Sequence, residues 1–314
     1  MSIFEIVEYP KIEGFNIFFT SIEYRAAHFN EAWALIWILD QPTIATCGTE
    51  SFRVEPGEIL FFAPNEPREF QKINEGCVHL CMQISPKILP AMPRVQVKEH
   101  TLHDYLNQEE LQELKQDFIK MIESYLLCKP NYELYCIGQS HMILWKLLSK
   151  VPVKEISTAE ATVVDRRNAR LRRLITFVKE NHMNKIRLAD FAQQENCSLS
   201  YMSRFVKESL DRSFQKYVTS VRFDCACKLI LEGNKKMLDV CIESGFSDYR
   251  YFSREFQKRY GMTPEKYSSF LRKRKLEKPI PDPSHRSIER YCSKEESLEL
   301  IKKYQETIMN ITNP

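Results

Sequence analysis

One pattern constrains the fold more than any other. Ser200-Tyr-Met-Ser-Arg204 returns fifty residues later as Arg250-Tyr-Phe-Ser-Arg254. Each copy follows a short apolar-faced segment and a turn. In the first, Leu188 to Glu195 reads as a short helix and Asn196-Cys197 as the turn. Ser198 then caps the next helix, because its hydroxyl can accept an orphan backbone N–H. In the second, Met237 to Ser244 is the short helix, Gly245-Phe246 the turn, and Ser247 or Asp248 the cap. Small Ala192 and Cys241 stand where the paired helices cross. Ser213 to Glu232 reads as one helix ended by Gly233. At 1.5 Å per residue its length is roughly 27 Å. That order of length can set two repeated helices about one DNA turn, roughly 34 Å, apart. Gly261-Met-Thr-Pro264 supplies a helix stop, a cap and a proline for the first helical position.

The repeated helices have two faces. Tyr201, Met202, Phe205 and Val206 are expected to pack inward, leaving Ser200, Ser203, Arg204 and Lys207 outside. Tyr251, Phe252 and Phe256 are the inward set of the second copy, with Tyr249, Arg250, Ser253 and Arg254 outside. Arginine can pair two guanine acceptors at once, and lysine or serine can meet bases or phosphates. Charge agrees with this. From Asp165 to Lys275 there are 25 Lys+Arg and 13 Asp+Glu, a net of +12, against a net of −9 for the remainder. A basic module joined to an acidic one points to nucleic acid on one side and other work on the other.

The stretch from Arg172 to Phe270 resembles the DNA-binding domain of the AraC/XylS regulators. The most specific part is Gly245-Phe-Ser-Asp-Tyr-Arg-Tyr-Phe-Ser-Arg-Glu-Phe256 with Tyr260-Gly-Met-Thr-Pro264. The resemblance implies two helix-turn-helix units that read adjacent major grooves. It places Ser200, Ser203 and Arg204 at base-reading positions of the first unit, and Tyr249, Arg250, Ser253 and Arg254 at those of the second. It also implies double-stranded promoter or operator DNA as partner and contact with RNA polymerase. One departure is Asp211, where family members usually carry glycine after the first recognition helix. Asp enters positive φ less readily than Gly, so a strained or reshaped turn is expected.

Residues 1–98 read as β structure. Trp33 to Leu39, Ile59 to Phe62 and Val78 to Ile84 are short apolar strands, separated by Gly48-Thr49, Pro56-Gly57, Pro64-Asn65 and Pro86. Pro56 to Pro67, and His28-Phe-Asn-Glu31 before Trp33, resemble a cupin-like barrel. Enzymatic cupins hold metal with a His-x-His pair and a later His. Here Asn30 and Arg68 take two of those places, and His28 alone cannot hold a metal. The expectation is no metal, no cofactor and no catalysis. His28, Trp37 and Arg68 are then expected to line a site for a small-molecule effector.

Residues 99–150 carry helical spacing, with Leu111, Leu114, Phe118, Met121, Ile122 and Tyr125 before Pro130-Asn131, and Leu134 to Leu148 after. This hairpin must bury a face against the β domain or a second copy, so a homodimer is expected. Residues 151–167 read as a linker, 168–275 as the DNA-binding domain and 276–314 as an extension. In that extension Arg272 to Lys275 could touch phosphates. Ser293-Lys-Glu-Glu296 reads as a capping box opening a last helix, with Leu298, Ile301 and Tyr304 on one face.

The fold class expected is thus α+β, a cupin-like barrel and helical hairpin before an all-α domain with two helix-turn-helix units. The acidic N-terminus lacks the basic opening of a secretory leader, and the longest apolar run is far too short for a bilayer, so a cytoplasmic location without membrane association is expected. Ten cysteines form no Cys-x-x-Cys pair and read as reduced thiols. With only 8 glycines and no nucleophile elbow, phosphate-cradling and acyl-transfer chemistry lack their signatures. Two rivals stay open: a cupin enzyme fused to a DNA-binding domain, and an architectural DNA-binding protein without an effector.

Overall fold

The structure is a computed structural model that describes residues 3–73, 77–88, 94–274 and 288–312. The chain divides into two compact units, one of Phe4–Ala161 with Glu289–Pro314, the other of Thr162–Ile288 with Met1–Ile3. The helical unit is therefore an insertion in the chain of the β-containing unit.

The N-terminal unit contains β1 (Ile3–Phe4), β2 (Phe15–Phe29), β3 (Trp33–Ile38), β4 (Thr43–Cys47), β5 (Glu50–Val54), β6 (Ile59–Phe62), β7 (Arg68–Lys72) and β8 (Val78–Ile84). Its sheet runs β5-β4-β7-β2-β8-β3-β6. Among the described residues the end strands β5 and β6 do not pair with each other, so the curled sheet is a half-barrel open along one side. Period-2 alternation gives it two apolar faces. Ala34, Ile36 and Ile38 of β3 join Ala45, Val54, Phe62 and Phe70 on the inner face. Trp33, Leu35 and Trp37 join Phe15, Ile17, Phe19, Phe61 and Leu80 on the outer face. β3 is buried along its whole length, hence its unbroken apolar run.

Helices cover the outer face. After β9 (Val95–Val97), α1 (Gln108–Leu127) opens on a capping box of Asn107 and Glu110. α1 places Leu114, Phe118, Met121, Ile122 and Tyr125 in the outer core, and α2 (Tyr132–Leu148) adds Cys136, Ile143, Leu144 and Leu147. The hairpin thus spends one face on its own sheet. Leu134, Met142 and Trp145 of α2 stay exposed. The division between the two units falls within segment 151–167, which carries regular structure. β10 (Val153–Glu155) pairs with β9, and α3 (Thr158–Asn181) begins after Ser157 and Glu160 exchange capping hydrogen bonds.

The helical unit continues with α4 (Leu188–Gln194), α5 (Leu199–Leu210), α6 (Phe214–Glu232), α7 (Met237–Glu243), α8 (Tyr249–Tyr260) and α9 (Pro264–Arg274). Ser198, Ser213 and Asp248 cap α5, α6 and α8 by accepting backbone N–H groups. Gly233 and Gly261 end α6 and α8 in the left-handed conformation, and Asp211 does the same for α5 at φ 52°. Ala192 and Cys241 are buried where close helix packing requires small side chains. Gly245 has φ +89°, and a Cβ there would lie 2.4 Å from the His182 carbonyl oxygen, so only glycine fits this turn. Phe223 of α6 binds the second unit together, in ring contact with Phe246, Phe252 and Phe256.

The C-terminal residues return to the N-terminal unit. β11 (Ile288–Tyr291) pairs with β2, and Thr20 Oγ1 donates to the Arg290 carbonyl at 3.3 Å. The Ser293–Glu296 capping box opens α10 (Lys294–Thr312), whose Ile301 and Tyr304 enter the outer core. Tyr304 packs on Trp37 with ring centroids 6.1 Å apart. Lys275 and the proline-rich stretch 279–283 lie outside the described residues.

Candidate nucleic-acid interface

Both repeats fold as a short helix, a tight turn and a longer helix. In α5, Met202, Phe205 and Val206 are buried, while Ser200, Ser203, Arg204 and Lys207 are all exposed. Their i, i+3, i+4, i+7 spacing puts them on one face. In α8, Phe252 and Phe256 are buried, Arg250 and Arg254 are exposed, and Tyr249 and Ser253 are half-buried. The Tyr249 hydroxyl donates to Glu265 of α9. Arg254 lies 5.7 Å from the centre of the Tyr251 ring.

Two expected core residues are on the surface. Tyr201 is 45% exposed and Tyr251 43%. For Tyr201 the cause is visible: Arg170 of α3 donates to its hydroxyl at 2.8 Å and lies over its ring. Arg170 is in turn held by Glu195, whose carboxylate also takes Arg173 at 2.6 and 2.8 Å. The two guanidiniums hold the Glu195 carboxyl below its ordinary pKa, Arg173 contributing first. None of these three was legible as a site residue. The signal was present as arginines at i and i+3 on α3, but their partner lies 22 and 25 residues on.

The expected ligand-lining residues do not share one place. His28 and Arg68 face each other across β2 and β7 on the inner face of the curl. Trp37 is on the outer face, against Phe118 and Tyr304. Arg68 is 2% exposed, lies 5.2 Å from the Phe62 ring, and has an Nε without a hydrogen-bond partner. Burial, with Arg25 nearby, pushes its pKa down to about 10. Burial also holds His28 and His79 neutral, each pushed down to about 3. A cleft of about 290 Å³ is lined by Cys47, Phe52, Glu66, Pro67 and His100 among others, and its lining includes none of His28, Trp37 and Arg68. Glu66 accepts N–H bonds from Ala63 and Val97, and burial raises its pKa to about 7.

Among the described residues no group of three His, Cys, Asp or Glu side chains is placed to hold a metal, and no disulfide joins two cysteines. Among those residues no helix is long and apolar enough to cross a membrane.

A family model described as a helix-turn-helix domain matches residues 191–269, spanning both repeats. The matched segment is a helix-turn-helix domain of the AraC type. The chain is 25% identical over 99 residues to the HTH-type transcriptional regulator ExsA of Pseudomonas aeruginosa, covering 32% of this chain and 36% of ExsA. It is 27% identical over 106 residues to the HTH-type transcriptional activator RhaR of Mannheimia succiniciproducens, covering 33% and 38%. The match therefore spans little more than a third of either relative. ToxT from Vibrio cholerae O395 aligns over 82% of this chain and 98% of its own, at 14% identity and a TM-score of 0.43.

Proposed function

We propose that this protein is a sequence-specific DNA-binding transcription regulator of the AraC/XylS type, whose two units read adjacent major grooves. The observation that carries this reading is the duplicated exposed polar face: Ser200, Ser203, Arg204 and Lys207 on α5, and Tyr249, Arg250, Ser253 and Arg254 on α8. Each rides on a capped helix with a buried aromatic underside, a rigid base for reading base edges. The basic balance of this segment supports it. Relatives named as transcriptional activators favour action as an activator, and the proposed action includes contact with RNA polymerase. The action is cytoplasmic and non-enzymatic. The test is selection of sites from random duplexes by the full chain. Sites should be bipartite, with halves about one helical turn apart. Uniform recovery without a shared sequence would refute the reading in favour of an architectural protein.

The cleft lined by Cys47, Glu66, Pro67 and His100 supports an effector site on the half-barrel, with buried Arg68 next in the chain to Pro67 and His28 opposite Arg68 on β2. Trp37, on the other face, would respond through α1 and α10 rather than by contact. Arg68→Met should abolish effector-dependent changes in DNA binding while leaving basal binding intact. A homodimer is supported by the exposed stripe Leu134, Met142 and Trp145 on α2, with Trp145 64% exposed. Trp145→Glu should shift the protein to monomer in sedimentation; an unchanged mass would remove α2 from the interface.

A further inference from the structure

Tyr201 sits in the first turns of α5, one residue after Ser200. Recognition helices meet base edges with their N-terminal residues, so groups at this end face the groove and its flanking phosphates. Three side chains converge there. Glu195 has only 9% of its side chain exposed and accepts from Arg170 and Arg173 together. Arg173 has 56% exposed, so it is a surface cation turned aside by the carboxylate. Arg170 also donates from Nη1 to the Tyr201 hydroxyl and lies over both Tyr201 and Phe205. The Tyr201 ring is stacked on Phe205 at 6.3 Å. The order Arg173–Glu195–Arg170–Tyr201 therefore links α3 to the reading end of α5.

We infer that Glu195 is a positioning residue that sets sequence discrimination: it holds two arginines back from the DNA backbone and uses one of them to fix Tyr201 beside Ser200 and Ser203. The inference rests on the DNA-binding reading above. Its physical basis is a trade. Phosphate contacts from arginine add affinity to every sequence alike, whereas a fixed side chain at the groove adds affinity only to the right one. One carboxylate between two guanidiniums lowers the first and secures the second.

This trade has a signature that plain structural damage does not share. Glu195→Gln frees Arg173 and loosens Arg170. Affinity for a scrambled duplex should rise roughly three- to tenfold at low salt, and the slope of log K against log salt should steepen by about 0.9 for one added phosphate contact. The ratio of selected-site to scrambled affinity should fall by about tenfold, on the scale of one lost base-pair discrimination. Tyr201→Phe keeps the ring and every charge but removes the acceptor of Arg170. It should lower the ratio while leaving the salt slope unchanged.

The experiment titrates full-length wild-type protein and both variants against two duplexes. One is recovered from random sequence by the wild type, the other is its scrambled counterpart, at several salt concentrations, with melting temperatures recorded. Opposite movement of scrambled affinity and discrimination in Glu195→Gln, with Tyr201→Phe reproducing only the second, is the expected result. Equal loss on both duplexes, or no change on either, overturns the inference while the DNA-binding reading stands. Should Glu195→Gln fail to fold, an undiminished ratio in Tyr201→Phe overturns it alone. Wild-type protein that binds neither duplex refutes the DNA-binding reading, and the inference falls with it.

Discussion

Arg25 and Glu289 stand 264 residues apart in the chain and form a half-buried ion pair inside the N-terminal unit. Arg25 also binds Glu5 at 2.6 Å and donates to His28 Nε2 at 3.0 Å. The guanidinium thus joins the N-terminal segment, the long strand β2 and the returning strand β11. An isolated guanidinium would not tolerate such burial, and two carboxylates make it possible.

Because Glu5 remains, Glu289→Gln should cost only about 1–2 kcal/mol. Ending the chain after residue 288 should cost far more. It removes Ile301 and Tyr304 from the outer core, roughly 2–3 kcal/mol each, and uncovers the edge of β2. Thermal melting should rank wild type above Glu289→Gln, and that variant well above the truncation, which should aggregate. A truncated chain as stable as the full one would show that the return of the tail adds nothing.

Acid should act through the two buried imidazoles. His28 and His79 are pushed down to about 3 when folded and return to about 6.5 when unfolded. Below pH 6.5 the unfolded chain takes up protons that the folded chain refuses. Their contribution is therefore complete above 6.5 and lost as pH falls toward 3, at about 1.4 kcal/mol per pH unit for each. Glu66, raised to about 7, works in the opposite sense. The clean comparison is His79→Gln against wild type by urea unfolding at pH 7.5 and pH 5. The variant should lose less stability on acidification; parallel profiles would contradict the assignment.

Asp211 ends α5 with φ 52°, a conformation that glycine enters without steric penalty. Asp211→Gly should raise stability by about 0.5–1 kcal/mol, seen as a small increase in melting temperature. A decrease would mean that contacts of the Asp211 side chain outweigh its backbone strain.

The helical unit was almost fully legible because its signals are local. Caps at Ser198, Ser213 and Asp248, stops at Gly233 and Gly261, and Pro264 at a first helical position each act within four residues. The strand β3 was legible from its apolar run. Long-range placement was not. Nothing near Glu289 says that its partner is Arg25, and the apolar face of Leu298, Ile301 and Tyr304 announces burial without naming the surface that provides it. Strand parity explains the split of the ligand-lining set. Trp37 was joined to His28 and Arg68 by type, but its odd position on β3 sends it to the outer face with Trp33 and Leu35. Tyr201 shows the same limit on a smaller scale: its helical position permits packing, and the Arg170–Glu195 pair across the fold keeps it outside.

The central claim is that two separate helices, α5 and α8, each read one half of a DNA site. The direct measurement is the sequence preference of full-length Arg204→Ala and Arg254→Ala, each determined by selection from random duplexes alongside wild type. Both arginines are exposed and outside the cores of their units, so both variants should fold. The account predicts that each variant loses preference in a different half of a bipartite site, at about 1–3 kcal/mol for the affected base. Preference unchanged in both variants, or lost across the whole site in each, would contradict it.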